Sequence, residues 1–143
     1  MEPDSQQDKP VFVYKFLVPA SAIDGNGHVN NVAYVKWMQD VAIKHWFHLC
    51  GDALAHHDNT TWVARSHRID YLSPAFEGEE IEITTWIEAV GRVRSLRKYS
   101  FRRISDDKQI ARGETDWVFV DAKTFRPRAI TKEVRNCFPD GLT

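Results

Sequence analysis

The sequence predicts an α+β fold: one long buried helix with a curved antiparallel sheet wrapped around it. Three observations predict it. A single segment, from about Asn30 to Cys50, is apolar at helical spacing over an unusually wide face. Several later segments alternate apolar and polar residues with period two. Those segments also follow one another with turns between them and no intervening helix, which is an antiparallel arrangement.

Each element is justified in turn. Residues 1–10 are polar and acidic and read as a flexible leader, with residues 11–143 as a single domain. Val11 to Val18 (VFVYKFLV) is aromatic and β-branched, so it reads as a strand ended by Pro19. Residues 19–30 hold Pro19, Gly25 and Gly27 among Ser, Asp and Asn, which is loop chemistry. In the helix that follows, stopped by Gly51, Val32, Val35, Met38, Ala42, Trp46 and Leu49 recur at three- and four-residue steps. Tyr34, Trp37 and Val41 widen that stripe, so burial over more than half the circumference is expected.

Residues 62–73 read as the next strand, closed by the Pro74–Gly78 loop. Glu80 to Val90 alternates, with Ile81, Ile83, Thr85, Ile87 and Ala89 on one face. Val93 to Ile104 and Gln109 to Asp121 form a hairpin through Ser105–Lys108. Thr131 before Lys132-Glu133-Val134 starts a short terminal helix. A sheet that covers one helix leaves edges, so self-association to a homodimer or homotetramer is expected.

Composition excludes several function classes. The 143 residues are 43% hydrophobic and 27% charged, enough for one ordinary core. With 19 Lys and Arg against 20 Asp and Glu, the formal charge of −1 gives no field for gripping nucleic acid. No apolar run approaches the roughly 18 residues of a membrane span, and the start lacks the pattern of a secretory signal. Cys50 and Cys137 make no disulfide framework and have no metal-ligand spacing. The expected location is therefore the reducing cytoplasm.

The densest polar cluster is Ile23-Asp24-Gly25-Asn26-Gly27-His28-Val29-Asn30-Asn31, directly before the helix. Part of it reads simply as a helix start: Gly for positive φ, Asn30 as N-cap, Asp24 as a turn former. That leaves Asp24, Asn26 and His28 together without a reason. A helix start also presents unpaired N–H groups and the positive end of a dipole. Such donors polarise a carbonyl and hold an oxyanion. A carboxylate beside them can act on water as general base or attack the carbonyl itself.

The pattern Asp24-x-Asn26-x-His28-Val29-Asn30-Asn31-x-x-Tyr34, followed by an aromatic helix, resembles the loop of hotdog-fold acyl thioesterases. It looks most like the plant acyl-ACP thioesterases, and is similar to 4-hydroxybenzoyl-CoA thioesterase and its small relatives, where an Asp stands three residues before a Gly, as Asp24 and Gly27 do. The resemblance covers roughly residues 11–138, including Ile69-Asp70-Tyr71-Leu72-Ser73-Pro74, Gly78-Glu79 and the Gly91-Arg92 turn. It implies the hotdog fold and hydrolysis of an acyl-CoA or acyl-ACP thioester. It implies Asp24 as base or nucleophile, Asn26 and His28 as catalytic partners, and the N–H near Asn31 as the donor to the carbonyl. Tyr34 would line the acyl pocket. Asp70 falls at the rough register of a Glu used by the plant enzymes, and Asp40 is the counterpart of a helix-borne acid in another subgroup.

No cofactor is implied, since CoA or carrier-protein pantetheine enters as part of the substrate. A thioester carbonyl is electrophilic and its thiolate leaves readily, so an aligned acid and N–H donors suffice. Two rivals remain. An enoyl-thioester hydratase of the same fold carries Pro after the Asn and a His five residues after the Asp; here Gly27 follows Asn26 and His28 is four after Asp24. A non-catalytic acyl-CoA binding module needs no base beside the carbonyl.

Other residues carry plainer readings. His45 and His48 are three apart on the helix, a spacing that permits metal binding, but nothing in sequence completes a site, and no metal is expected. His56-His57-Asp58 reads as a solvated loop, and His67 as strand packing or pocket lining. Arg92, Arg94, Arg97, Lys98, Arg102 and Arg103 read as a solvated sheet face pairing with Glu82, Glu88 and Glu114. Arg92 and Arg94 are alternatively candidates for holding CoA phosphates. Trp37, Trp46, Trp62, Trp86 and Trp117 read as core or interface.

Overall fold

A computed structural model describes residues 10–51 and 57–142. The elements run β1 (Phe12–Leu17), a 3-10 turn at Ala20–Ala22, α1 (Asn31–Cys50), a 3-10 turn at His57–Asn59, β2 (Thr60–Tyr71), β3 (Glu80–Val90), β4 (Arg94–Arg103), β5 (Lys108–Asp121) and α2 (Lys132–Arg135). One five-stranded sheet has the order β1-β3-β4-β5-β2, with every pairing antiparallel. This is the predicted α+β hotdog architecture, each element within two residues of its expected bounds. The leader, apart from Pro10, and His56 lie outside the described residues.

The sequence explains the local structure. Asn30 caps α1, its Oδ1 accepting from the Val32 N–H at 2.8 Å, and Gly51 ends it with φ of 75°. Alternation puts Ser95, Arg97, Tyr99 and Phe101 of β4 under the helix, all buried. Met38, fully buried at the helix centre, rests on Gly113 of β5; a Cβ there would stand 2.9 Å from the Met38 sulfur and 3.1 Å from the Arg68 carbonyl oxygen. The helix settles onto the sheet because that strand position is bare.

α1 runs along the strands, so the fold has two ends. At one, the start of α1 meets Tyr71 and Phe101 through Tyr34, whose ring stands edge-on to both. At the other, Trp46 packs on Trp62 and Phe138, above a second core of Ile87, Phe119, Ile130 and Val134.

Two expectations are corrected. The helix is buried on one side only, by Tyr34, Met38, Val41, Ala42 and His45, while Val32 is 73% exposed and Ile43 and Phe47 also face outward. A five-stranded sheet of one chain is too narrow to close around a helix, so the wide apolar face is not covered within the chain. The cysteines, expected to be free, are joined: Cys50 at the end of α1 bonds Cys137 just after α2, with Cα atoms 5.1 Å apart. Spacing in sequence hid this, because 87 residues separate them.

Candidate active site

The loop before α1 is a tight hairpin. Ile23 and Val29 form an antiparallel bridge, and the Asp24 N–H donates to the His28 carbonyl while the Gly27 N–H donates to the Asp24 carbonyl, both at 3.0 Å. Gly27 takes φ of 82°, the left-handed region that favours glycine. Asp24 is half-buried, and its Oδ1 accepts from the Asn26 N–H at 2.8 Å. One carboxylate oxygen thus holds the loop, leaving Oδ2 with no hydrogen bond among the described residues.

The same loop carries His28, whose ring stands edge-on to Phe76 at 6.4 Å, and Asn26, which is exposed. The Val29 N–H donates to Ala75 and the Asn30 N–H to Ala22, so the loop is sewn to its neighbours on both sides. At the helix start, Asn30 takes up two of the orphan donors: its Oδ1 that of Val32 and its carbonyl that of Ala33. The Asn31 N–H has no acceptor among the described residues. Tyr71 of β2 donates to the Asn31 carbonyl at 3.2 Å. The structure therefore brings Asp24, Asn26, His28 and the Asn31 amide onto one loop and the first turn of one helix.

It treats the remaining candidates differently. Tyr34 is buried at this end among Trp37, Tyr71 and Phe101, and burial, with Tyr71 and Glu79 nearby, pushes its phenol up to about 12, so it stays protonated. Asp70 alternates with Ile69 and Tyr71, which face the helix, so it lies on the opposite face of β2. There it pairs with Arg112 at 3.1 Å, its cross-strand partner, and more distantly with Arg68. Arg92 and Arg94 lie at the far end of β3 and β4 from Asp24, on the order of 30 Å along the strands. The Arg94 Nε donates to Asp116 at 3.0 Å, whereas Arg92 is exposed with no ion pair among the described residues. Asp40 on α1 is held by Lys36 at 2.8 Å.

The sheet-face reading of the arginines is half right. Arg102 pairs with Glu82 at 2.8 Å and Arg103 with Asp106 at 2.8 Å. Arg97 instead is buried under α1 at 4% exposure. Its Nη1 donates to His45 Nδ1 at 2.8 Å and to Thr85 Oγ1 at 3.2 Å. Burial lowers its pKa to about 10, far enough above neutrality for the cation to persist. Burial, then the charge of Arg97, pushes His45 down to about 3, so the imidazole is neutral with Nδ1 as acceptor. His45 was legible as a helical histidine; that it faces inward follows from its place four residues after Val41 and seven after Met38.

Beside this pair is a cavity of about 250 Å3 between the C-terminal half of α1 and the sheet. Trp46, Trp62, Trp117, Phe47, Phe138 and Arg97 line most of it. A second groove of about 470 Å3 lies between β1 and α1, beside Tyr14, Trp37 and Lys44. His67 faces the helix side of β2, its Nδ1 2.9 Å from Thr115 Oγ1, which also accepts from the Tyr99 hydroxyl. Among the described residues no cluster could hold a metal ion, and no helix is long and apolar enough to cross a membrane.

Residues 18–138 match the family model described as the thioesterase-like superfamily, a span that takes in the loop, α1 and β2 to β5. The chain belongs to the thioesterase-like superfamily. Other similarities of this superfamily member agree in fold. A protein of Staphylococcus aureus solved in complex with CoA superposes with a TM-score of 0.82 over 90% of this chain and 82% of that one, at 18% identity. A 1,4-dihydroxy-2-naphthoyl-CoA thioesterase from Synechocystis gives 0.78 over 92% and 97%, at 16% identity. In sequence, the chloroplastic oleoyl-acyl carrier protein thioesterase of Coriandrum sativum is 32% identical over 76 residues, 52% of this chain. That stretch spans only 20% of the plant protein's length.

Proposed function

We propose that this superfamily member hydrolyses acyl thioesters to a carboxylic acid and a thiol. The observation that carries the proposal is that a carboxylate with one free oxygen, Asp24, shares a loop with the first unpaired amide of the central helix, Asn31. The thioester carbonyl accepts from that amide, where the helix dipole also favours negative charge. Asp24 takes a proton from water as it attacks, or attacks directly to give an anhydride that water then opens. The tetrahedral intermediate collapses and the thiolate leaves. Asn26 and His28 orient the water, and Tyr34 shapes the acyl side of the site. No cofactor enters, because pantetheine comes with the substrate. The names of the relatives support both acyl-CoA and acyl carrier protein as thiol carriers.

The active unit in this proposal is a homodimer, or a homotetramer built from it. β2 is an edge strand of the sheet, and exposed Val32, Ile43 and Phe47 leave α1 half covered. Two β2 strands paired about a twofold axis run antiparallel. That sets Tyr71 and the Asp24 loop of one protomer beside the Thr60–Trp62 end of its partner. It would also bring the partner's Arg92 end closer than the chain's own. The proposed compartment is the cytoplasm, and the Cys50–Cys137 bond is the feature that weighs against it. Thiol titration of protein released from gently lysed cells decides that point.

A panel of acyl-CoA esters read with a thiol reagent tests the activity, with crotonyl-CoA hydration run alongside. Thiol release should fall about 100-fold or more in Asp24→Asn with an unchanged circular dichroism spectrum. Undiminished release in the variant, or hydration without release, overturns the hydrolase reading.

A further inference from the structure

The cavity under the C-terminal half of α1 has a donor surplus. Its lining is aromatic, yet it includes a nearly fully buried guanidinium with no carboxylate partner among the described residues. The neighbours of Arg97 are already committed. Thr85 passes its own hydroxyl proton to the Lys98 carbonyl at 2.9 Å, and neutral His45 offers one lone pair. Of the acids on the surrounding strands, Glu82 is engaged by Arg102, Asp116 by Arg94 and Glu88 by the Trp86 N–H. The rings of Trp46, Trp62, Trp117 and Phe138 form most of the remaining wall.

Buried charges are ordinarily paired, and buried donors are ordinarily satisfied. A site with a buried cation and apolar rings, whose other polar side chains are only the hydroxyls of Thr61 and Ser95, is complementary to an apolar body that ends in an anion. We propose that this cavity binds a carboxylate-bearing apolar or aromatic group, with Arg97 as counter-ion and the rings of Trp46, Trp62, Trp117 and Phe138 around the body. Two sources supply that chemistry. One is a free carboxylic acid. The other is an acyl thioester whose acyl chain carries a second, distal carboxylate, and this arm rests on the hydrolase reading above.

The helix itself separates the cavity from the chain's own Asp24, since 14 residues from Asn31 to His45 span about 21 Å. In the β2-paired dimer the cavity adjoins the partner's loop instead, which is the arrangement the thioester arm uses.

The test compares 4-phenylbutyrate with the matched neutral alcohol, 4-phenylbutan-1-ol, by tryptophan fluorescence and calorimetry at pH 7.5. The wild type should prefer the acid by about tenfold or more, as a charge-assisted pair requires. Arg97→Met, checked by thermal melting, should lose that preference while keeping the alcohol affinity within about threefold. Equal binding of acid and alcohol, binding of neither, or an acid preference that survives Arg97→Met overturns the proposal. If Arg97→Met does not fold, the wild-type comparison of acid with alcohol decides alone. A thioester arm compares sebacoyl-CoA with decanoyl-CoA. Preference for the dicarboxylic ester in kcat/KM, lost in Arg97→Met, assigns the acyl source; acid binding without that preference assigns the free acid. No turnover of these or of any other ester in the acyl-CoA panel, with acid binding intact, overturns the hydrolase reading and leaves the carboxylate site standing.

Discussion

Nη1 of Arg97 donates to Nδ1 of His45 across 2.8 Å beneath the last turns of α1, an arrangement that requires the imidazole to be neutral. Folding therefore competes with protonation. Unfolded, His45 titrates near 6.5; folded, burial, the Arg97 cation and His48 hold it at about 3. Between those values the unfolded chain binds the extra proton, so stability is fully present above about 6.5 and is lost as pH falls toward 3. This one group contributes a slope of up to about 1.4 kcal/mol per pH unit. His67, lowered by burial, acts in the same direction. Urea unfolding from pH 4 to 7 should show a shallower slope for His45→Gln than for the wild type; identical slopes contradict the assignment.

The N-cap is a second point of leverage. Asn30→Ala removes the acceptor for the Val32 N–H and should cost about 1 kcal/mol of stability. Because the same residue fixes the amide beside Asp24, kcat should fall more than KM rises. A variant as stable as the wild type in thermal melts refutes the capping account.

At the helix–sheet contact, Gly113→Val forces a branched side chain against Met38 and the Arg68 carbonyl. The methionine can bend away and the backbone oxygen cannot. The expected loss is about 1–3 kcal/mol or more, read from the denaturation midpoint, with Gly113→Ala milder.

The Cys50–Cys137 bond closes a chain segment of 87 residues. Reduction should cost about 2–4 kcal/mol, seen as a lower Tm in reducing agent. The Cys50→Ser/Cys137→Ser double variant should melt at the reduced temperature and ignore the reagent.

Much of this was legible in the residues and some was not, for physical reasons. Period-two alternation placed β3, β4 and β5 nearly to the residue because each strand has one face under α1. Asn30 and Gly51 bounded α1 because caps are local chemistry. What failed was long-range. The tyrosines, arginine and histidines gathered around the helix come from three separate elements, α1, β2 and β4, and no spacing rule connects Arg97 with His45. A basic stretch looked solvated because Arg97 is surrounded in sequence by arginines that are. Asp70 was matched by register alone, and alternation with Ile69 and Tyr71 turns it to the other face. The width of the apolar helix was real, but it spoke of surface the chain does not cover by itself.

The peptide between Asn31 and Val32 is gripped from both sides, its oxygen by the Tyr71 hydroxyl and its N–H by the Asn30 side chain. With the neighbouring Asn30 carbonyl also occupied by Ala33, the first helical amide has almost no freedom to swing. Its dipole is aimed before any guest arrives, so charge that builds on an oxygen there meets a field already in place and no reorientation cost. Tyr71→Phe would leave the donor present but loosened, and the difference would register in the rate of bond breaking more than in affinity.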